Sequence, residues 1–162
     1  MANNICVVER MIRSSELEPL LASGQPKLDA WRKKAAASYT DAWKEPSTHL
    51  LDVQFTAKAP RPPSTGAAVD SGAILKALNS KDKDGIKEKF KNFNASFDDL
   101  VAKHKSYKME PEVRRTLARD VQNFIEPLYN RFWERYHEVD KGKGKYVKYD
   151  RQQMSSTLSS LA

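Results

Sequence analysis

Apolar residues return every three or four positions along most of this chain and nowhere alternate with polar ones over a strand-length window, so the expected fold is all-α, a helical bundle. From Asn3 to Leu21 the set Ile5, Val8, Ile12, Leu17, Leu20 and Leu21 predicts two short helices broken near Ser14 and Ser15, with Gly24 and Pro26 closing the unit. Lys27 to Leu51 reads as a longer helix that returns Leu28, Trp31, Ala35, Tyr39, Ala42 and Trp43 to one face. Pro46 lacks a backbone donor and should interrupt or end it, leaving Thr48 to Val53 as a short second piece.

Residues 54–72 lose every period: Pro60, Pro62, Pro63, Gly66 and Gly72 stand among Ser and Thr, the composition of a flexible surface loop. Pro60 to Pro63 matches a minimal proline-helix ligand, a pattern frequent in plain linkers. Order resumes at Ile86, with Asp84 as the expected cap and Ile86, Phe90, Phe93, Phe97, Leu100 and Val101 as an apolar stripe. A second long segment opens at Pro111, a good first-turn residue, and carries Val113, Leu117, Val121, Phe124 and Ile125 inward. Pro127 predicts a kink or break before Leu128, Phe132 and Tyr136. Asp150 followed by Gln153 has the spacing of a capping box and opens a last helix with Met154, Leu158 and Leu161 inward.

A chain of 162 residues buries one hydrophobic core, so a single domain over 1–162 is expected. The net charge of +7 is uneven: residues 1–80 hold 10 Lys+Arg and 8 Asp+Glu, residues 81–162 hold 18 and 13. A basic C-terminal half points to a polyanion, either an anionic membrane surface or nucleic acid. The lone Cys6 excludes an internal disulfide, and with no signal-peptide-like start it favours the reducing cytosol, which makes the sequon Asn94-Ala95-Ser96 idle. No apolar run is long enough to span a bilayer, so membrane contact would be peripheral.

Catalytic chemistry finds little support. His49, His104 and His137 have no partner at metal-ligand spacing and read as surface or helix-end histidines, so no metal or cofactor is expected. Asp98 and Asp99 point about 100° apart on a helix and cannot face each other as an acid and base pair; solvation explains them. The run Gly142-Lys143-Gly144-Lys145 lacks the spacing and preceding strand of a phosphate loop. Cys6 reads as a buried structural thiol, and Arg115 and Arg119, one turn apart beside Arg114, as a solvated basic face diluted by Glu112 and Asp120.

The most informative stretch is Lys145-Tyr146-Val147-Lys148-Tyr149, which follows Lys141-Gly142-Lys143-Gly144. Its ammonium groups can face outward while Tyr146, Val147 and Tyr149 anchor the segment, a surface suited to an anionic lipid face. Taken with Asn3-Asn4, Trp31, Tyr39 and Trp43, the block Phe90-Lys91-Asn92-Phe93-Asn94 with Phe97 and Leu100, Pro111-Glu112-Val113-Arg114 and Ile125-Glu126-Pro127-Leu128-Tyr129, it resembles the C-terminal domain of the seventy-kilodalton subunit of the exocyst, the complex that tethers secretory vesicles to the plasma membrane.

That resemblance implies the terminal bundle of a rod of stacked helical bundles, a non-enzymatic role, and a C-terminal fragment of a longer subunit with apolar surface near residues 1–21 left by the preceding bundle. It also implies cytoplasmic placement, peripheral at the plasma membrane at sites of polarised secretion. The family's lysines matching Lys145 and Lys148 are implicated in binding phosphatidylinositol 4,5-bisphosphate; Lys141, Lys143 and Arg151 join them here by charge and proximity. Other exocyst subunits and Rho-family GTPases are the implied protein partners, and nucleic acid is not expected. Two departures stand out: Cys6 or Val7 where the family places an aromatic, and Ser160-Leu161-Ala162 where a Leu-Phe pair is common, which predicts a truncated or loosely docked last helix. A nucleic-acid-binding domain and a protein-interaction module without lipid contact are the alternatives from other classes.

Overall fold

The computed structural model describes residues 2–51 and 71–162. Its helices are α1 (Ala2–Arg13), α2 (Glu18–Asp41), α3 (Lys44–His49), α4 (Ser71–Ala77), α5 (Ser80–Ser106), α6 (Pro111–Tyr136), a 3-10 turn over His137–Asp140, and α7 (Arg151–Ser159). The described residues contain no strand, and the all-α expectation holds. Most of the proline-rich stretch expected as a loop lies outside the described residues; its last two, Ser71 and Gly72, instead open α4.

The core is built where the aromatic stripes of α5 and α6 meet. Ile86, Phe90, Phe93 and Phe97 are fully buried, as are Val121, Ile125 and Tyr129 from α6. Edge-to-face contact joins Phe90 to Phe132 at 4.9 Å between ring centroids, and a tilted contact joins Phe93 to Tyr129 at 5.1 Å. Such pairs add about 0.5–1.5 kcal/mol each beyond their burial. Trp43 and Leu50 flank α3 and enter the same cluster, as do Leu75 and Leu78 around α4. Met154, Leu158 and Leu161 seal the far side with no exposed surface, so the last helix is tightly docked and not loose.

Several boundaries differ from expectation for identifiable reasons. The break at Ser14 and Ser15 is present, but α2 runs on through Gly24 and Pro26, with α1 packed against it. The interruption before α3 falls at Ala42 and Trp43; Pro46 is the third residue of α3, where its missing donor would have found no helical acceptor anyway. Trp31 is 45% exposed and does not share the buried face of Trp43. Asn79, not Asp84, caps α5, its side chain accepting the backbone N–H of Asp82 at 2.7 Å. Pro127 lies inside an unbroken α6, since Phe124 and Ile125 before it and Leu128 and Tyr129 after it all pack on one core.

His104 is a helix-end histidine, as expected, but not a surface one. It sits in the last turn of α5 yet is 1% exposed. Its Nε2 donates to the Leu161 carbonyl at 2.7 Å, which leaves Nδ1 to accept the Tyr39 hydroxyl, so one imidazole ties α2, α5 and the C-terminal turn. Burial pushes its pKa below the ordinary histidine value. At the periphery, Asn3 bridges the α5–α6 connection, donating to the Lys108 carbonyl at 2.6 Å and accepting from the Glu110 N–H at 3.1 Å. Val8, Met11, Leu17 and Leu20 on α1 and its junction with α2 remain exposed.

Candidate functional site

The basic segment leaves the 3-10 turn through a tight reversal. Lys141 adopts a left-handed conformation at φ 49°, and Gly142 and Gly144 follow at φ 70° and 64°. A side chain at either glycine would be strained in that region, so the Lys-Gly-Lys-Gly run is what the turn requires of the backbone. Lys141, Lys143 and Lys145 stand exposed along it, and among the described residues no carboxylate lies within ion-pair distance of any of the three.

The segment after the turn is held from four sides. Asp140 is 6% exposed and its Oδ2 accepts the backbone N–H groups of Tyr146 at 2.9 Å and Val147 at 3.4 Å. From α5, Asn94 donates to the Tyr146 carbonyl at 2.7 Å. From α6, the Tyr129 hydroxyl donates to the Tyr149 carbonyl at 2.6 Å, and burial pushes the pKa of that phenol well up. Asp98, one turn beyond Asn94, receives both the Lys148 ammonium and the Tyr149 hydroxyl at 2.5 Å each. The Tyr149 ring meets Phe97 edge-on at 5.5 Å, and Tyr146 and Val147 pack partly buried on the core. The apolar residues therefore anchor the segment as their types predicted. The capping box of α7 is also complete, with both Asp150 and Gln153 bonds present.

The five basic residues divide into two groups. Lys148 is paired with Asp98, and Arg151 with Glu134 at 2.9 Å; both basic side chains are about half exposed. The Asp98 carboxylate raises the Lys148 pKa, so that ammonium stays charged. Lys145 points its ammonium over the Tyr146 ring at 5.3 Å, and Lys87 of α5 approaches the same ring at 5.9 Å. Behind the turn lies an open groove of about 710 Å³ whose lining mixes Glu138, Asp140 and Asp150 with Lys141 and Lys148. Its mixed sign makes it a poor anion pocket, so anion binding would use the outer lysines. No cluster of three or more His, Cys, Asp or Glu side chains could hold a metal among the described residues, and no described helix is long and apolar enough to cross a membrane.

Sequence reasoning did not foresee Asn94, Asp98, Tyr129 or Asp140 as residues that shape this site. Asn94 carried one signal, a polar residue inside a phenylalanine stripe. It is buried and spends its amide on the Tyr146 carbonyl. Asp98 was expected to be merely solvated; the loop that pairs with it arrives from 50 residues downstream.

The family described as the C-terminal part of the Exo70 exocyst complex subunit matches residues 1–160. The exocyst complex protein EXO70 of Gibberella zeae is 54% identical over 162 residues, covering the whole chain and 25% of that protein. The exocyst complex component EXO70 of Saccharomyces cerevisiae is 32% identical over 160 residues, covering 98% of this chain and 23% of that protein. A solved structure of S. cerevisiae Exo70 superposes with a TM-score of 0.73 at 32% identity, over 98% of this chain and 26% of its own. The chain thus spans about a quarter of the length of these relatives. With family match, relatives and superposition in agreement, the chain belongs to the Exo70 family of the exocyst complex, matching its C-terminal part.

Proposed function

We propose that residues 1–162 act as one non-enzymatic helical-bundle domain that helps tether secretory vesicles to the plasma membrane during exocytosis. In this reading it binds phosphatidylinositol 4,5-bisphosphate through a basic tip of Lys141, Lys143, Lys145, Lys148 and Arg151. The domain would lie at the cytoplasmic face of the membrane at sites of polarised secretion, with other exocyst subunits and Rho-family GTPases as partners of the longer subunit.

The observation that carries this reading is the outer trio. Lys141, Lys143 and Lys145 are exposed within five residues, free of carboxylate partners among the described residues, on a loop whose following segment is anchored to both long helices. A cation already ordered at the surface loses less entropy on meeting a phosphate than one on a floppy tail. Lys148 and Arg151 are consistent with a secondary share, because half-exposed ion pairs are worth only about 0.2–1 kcal/mol and can exchange for a headgroup phosphate. Each basic group near an anionic leaflet contributes about 1 kcal/mol, so five give useful attachment and two alone do not. Assembly with further membrane-binding subunits would multiply it.

Liposome sedimentation tests the reading. On vesicles containing phosphatidylinositol 4,5-bisphosphate, Lys145→Ala/Lys148→Ala should weaken binding between about fivefold and 30-fold, the loss of one to two such charges. Unchanged binding would sink the assignment. Displacement of the protein from vesicles by stoichiometric duplex nucleic acid would move it to the nucleic-acid class instead.

A further inference from the structure

We infer that the lipid-facing surface is built from two elements, and that Lys87 and Lys91 of α5 form its second half. The inference rests on the proposed lipid-binding function and extends it to residues outside the basic loop.

Helix geometry supplies the first argument. At 100° per residue, Lys87, Lys91, Asn94 and Asp98 fall within an arc of about 60° on α5. The last two members of that line touch the loop directly: Asn94 holds the Tyr146 carbonyl, and Asp98 holds Lys148 and Tyr149. The arc therefore faces the loop, and its first two members continue toward the helix N-terminus, where Lys87 meets the Tyr146 ring.

The contacts agree. Tyr146 receives a lysine ammonium from each element, Lys145 at 5.3 Å and Lys87 at 5.9 Å from the ring centroid. Two cations gathered round one partly exposed aromatic ring repel each other, and an anion placed at the rim of that ring relieves the repulsion. Asp84 takes part of the Lys87 charge through an exposed ion pair at 2.7 Å. Lys91 is exposed and has no carboxylate within ion-pair distance among the described residues, so it carries the larger share. With the loop lysines, the strip presents a broad cationic face, whose fit is to several headgroup phosphates of one leaflet and not to a single deep pocket.

Vesicle binding by the full chain tests this. Lys87→Ala/Lys91→Ala should lower affinity for vesicles containing phosphatidylinositol 4,5-bisphosphate by about fivefold or more, and the single Lys91→Glu by at least as much. Lys105→Ala, at the opposite end of the same helix, serves as the control and should stay within twofold. Lys91 is exposed, so its charge reversal leaves the fold intact and keeps the test decisive should the double variant lose stability. Full binding by both α5 variants, while Lys145→Ala/Lys148→Ala binds weakly, overturns the inference and leaves the loop assignment standing. Full binding by every variant overturns both.

Discussion

Lys148 shows how a residue singled out by its motif acquires a different physical character once its neighbours are known. Its ammonium is already engaged by Asp98, which also accepts the Tyr149 hydroxyl. Within the proposed function Asp98 is thus a competitor for headgroup phosphate and one negative charge close to the leaflet. Asp98→Asn keeps an oxygen for Tyr149 but releases Lys148, so binding to vesicles containing phosphatidylinositol 4,5-bisphosphate should tighten about fivefold, one charge's worth. In a double-mutant cycle with Lys148→Ala the gain should shrink, since part of it acts through that lysine. A loss of affinity in Asp98→Asn would mean instead that the carboxylate positions Lys148 for binding.

Among the elements, the loop from Lys141 to Asp150 carries the candidate chemistry while α5 and α6 supply its shape. Asp140 is its inner hinge: two backbone N–H groups end on one buried oxygen. Asp140→Ala leaves both without an acceptor, and should destabilise the fold by about 2 kcal/mol in urea unfolding with faster amide exchange at Tyr146 and Val147. The helix that follows was legible in advance because a capping box is local: Asp150 and Gln153 are three residues apart and need no distant partner. The proline boundaries were less so. Pro26 and Pro127 each remove a backbone donor, yet both helices carry on through them; at Pro127, core packing on both sides outweighs one lost bond. Local rules read the weak signal correctly and could not weigh it against contacts made elsewhere.

On the scale of the whole molecule, His104 ties distant parts together through Tyr39 and the Leu161 carbonyl. Burial holds its folded pKa below that of the unfolded chain, near 6.5, so the unfolded state binds more protons between the two values. Its stabilising contribution is therefore complete above about pH 6.5 and is lost as pH falls through the lower folded value. Urea unfolding at pH 7.5 and 5.5 should show the parent losing stability on acidification, and His104→Phe, less stable at pH 7.5, losing less between the two; equal losses would remove His104 as the cause. Helix periods, the phenylalanine stripe of α5, the capping box and the excess of lysine near the C-terminus are all encoded by neighbours in the chain, and they were enough for the fold class, the core and the basic segment. That Lys148 is paired, that Asn94 and Tyr129 clasp the loop, and that His104 is buried depend on partners from 20 to 65 residues away. Such contacts arise only when the helices pack, because electrostatics and hydrogen bonding act through space over a few ångströms, however far apart the partners lie along the chain.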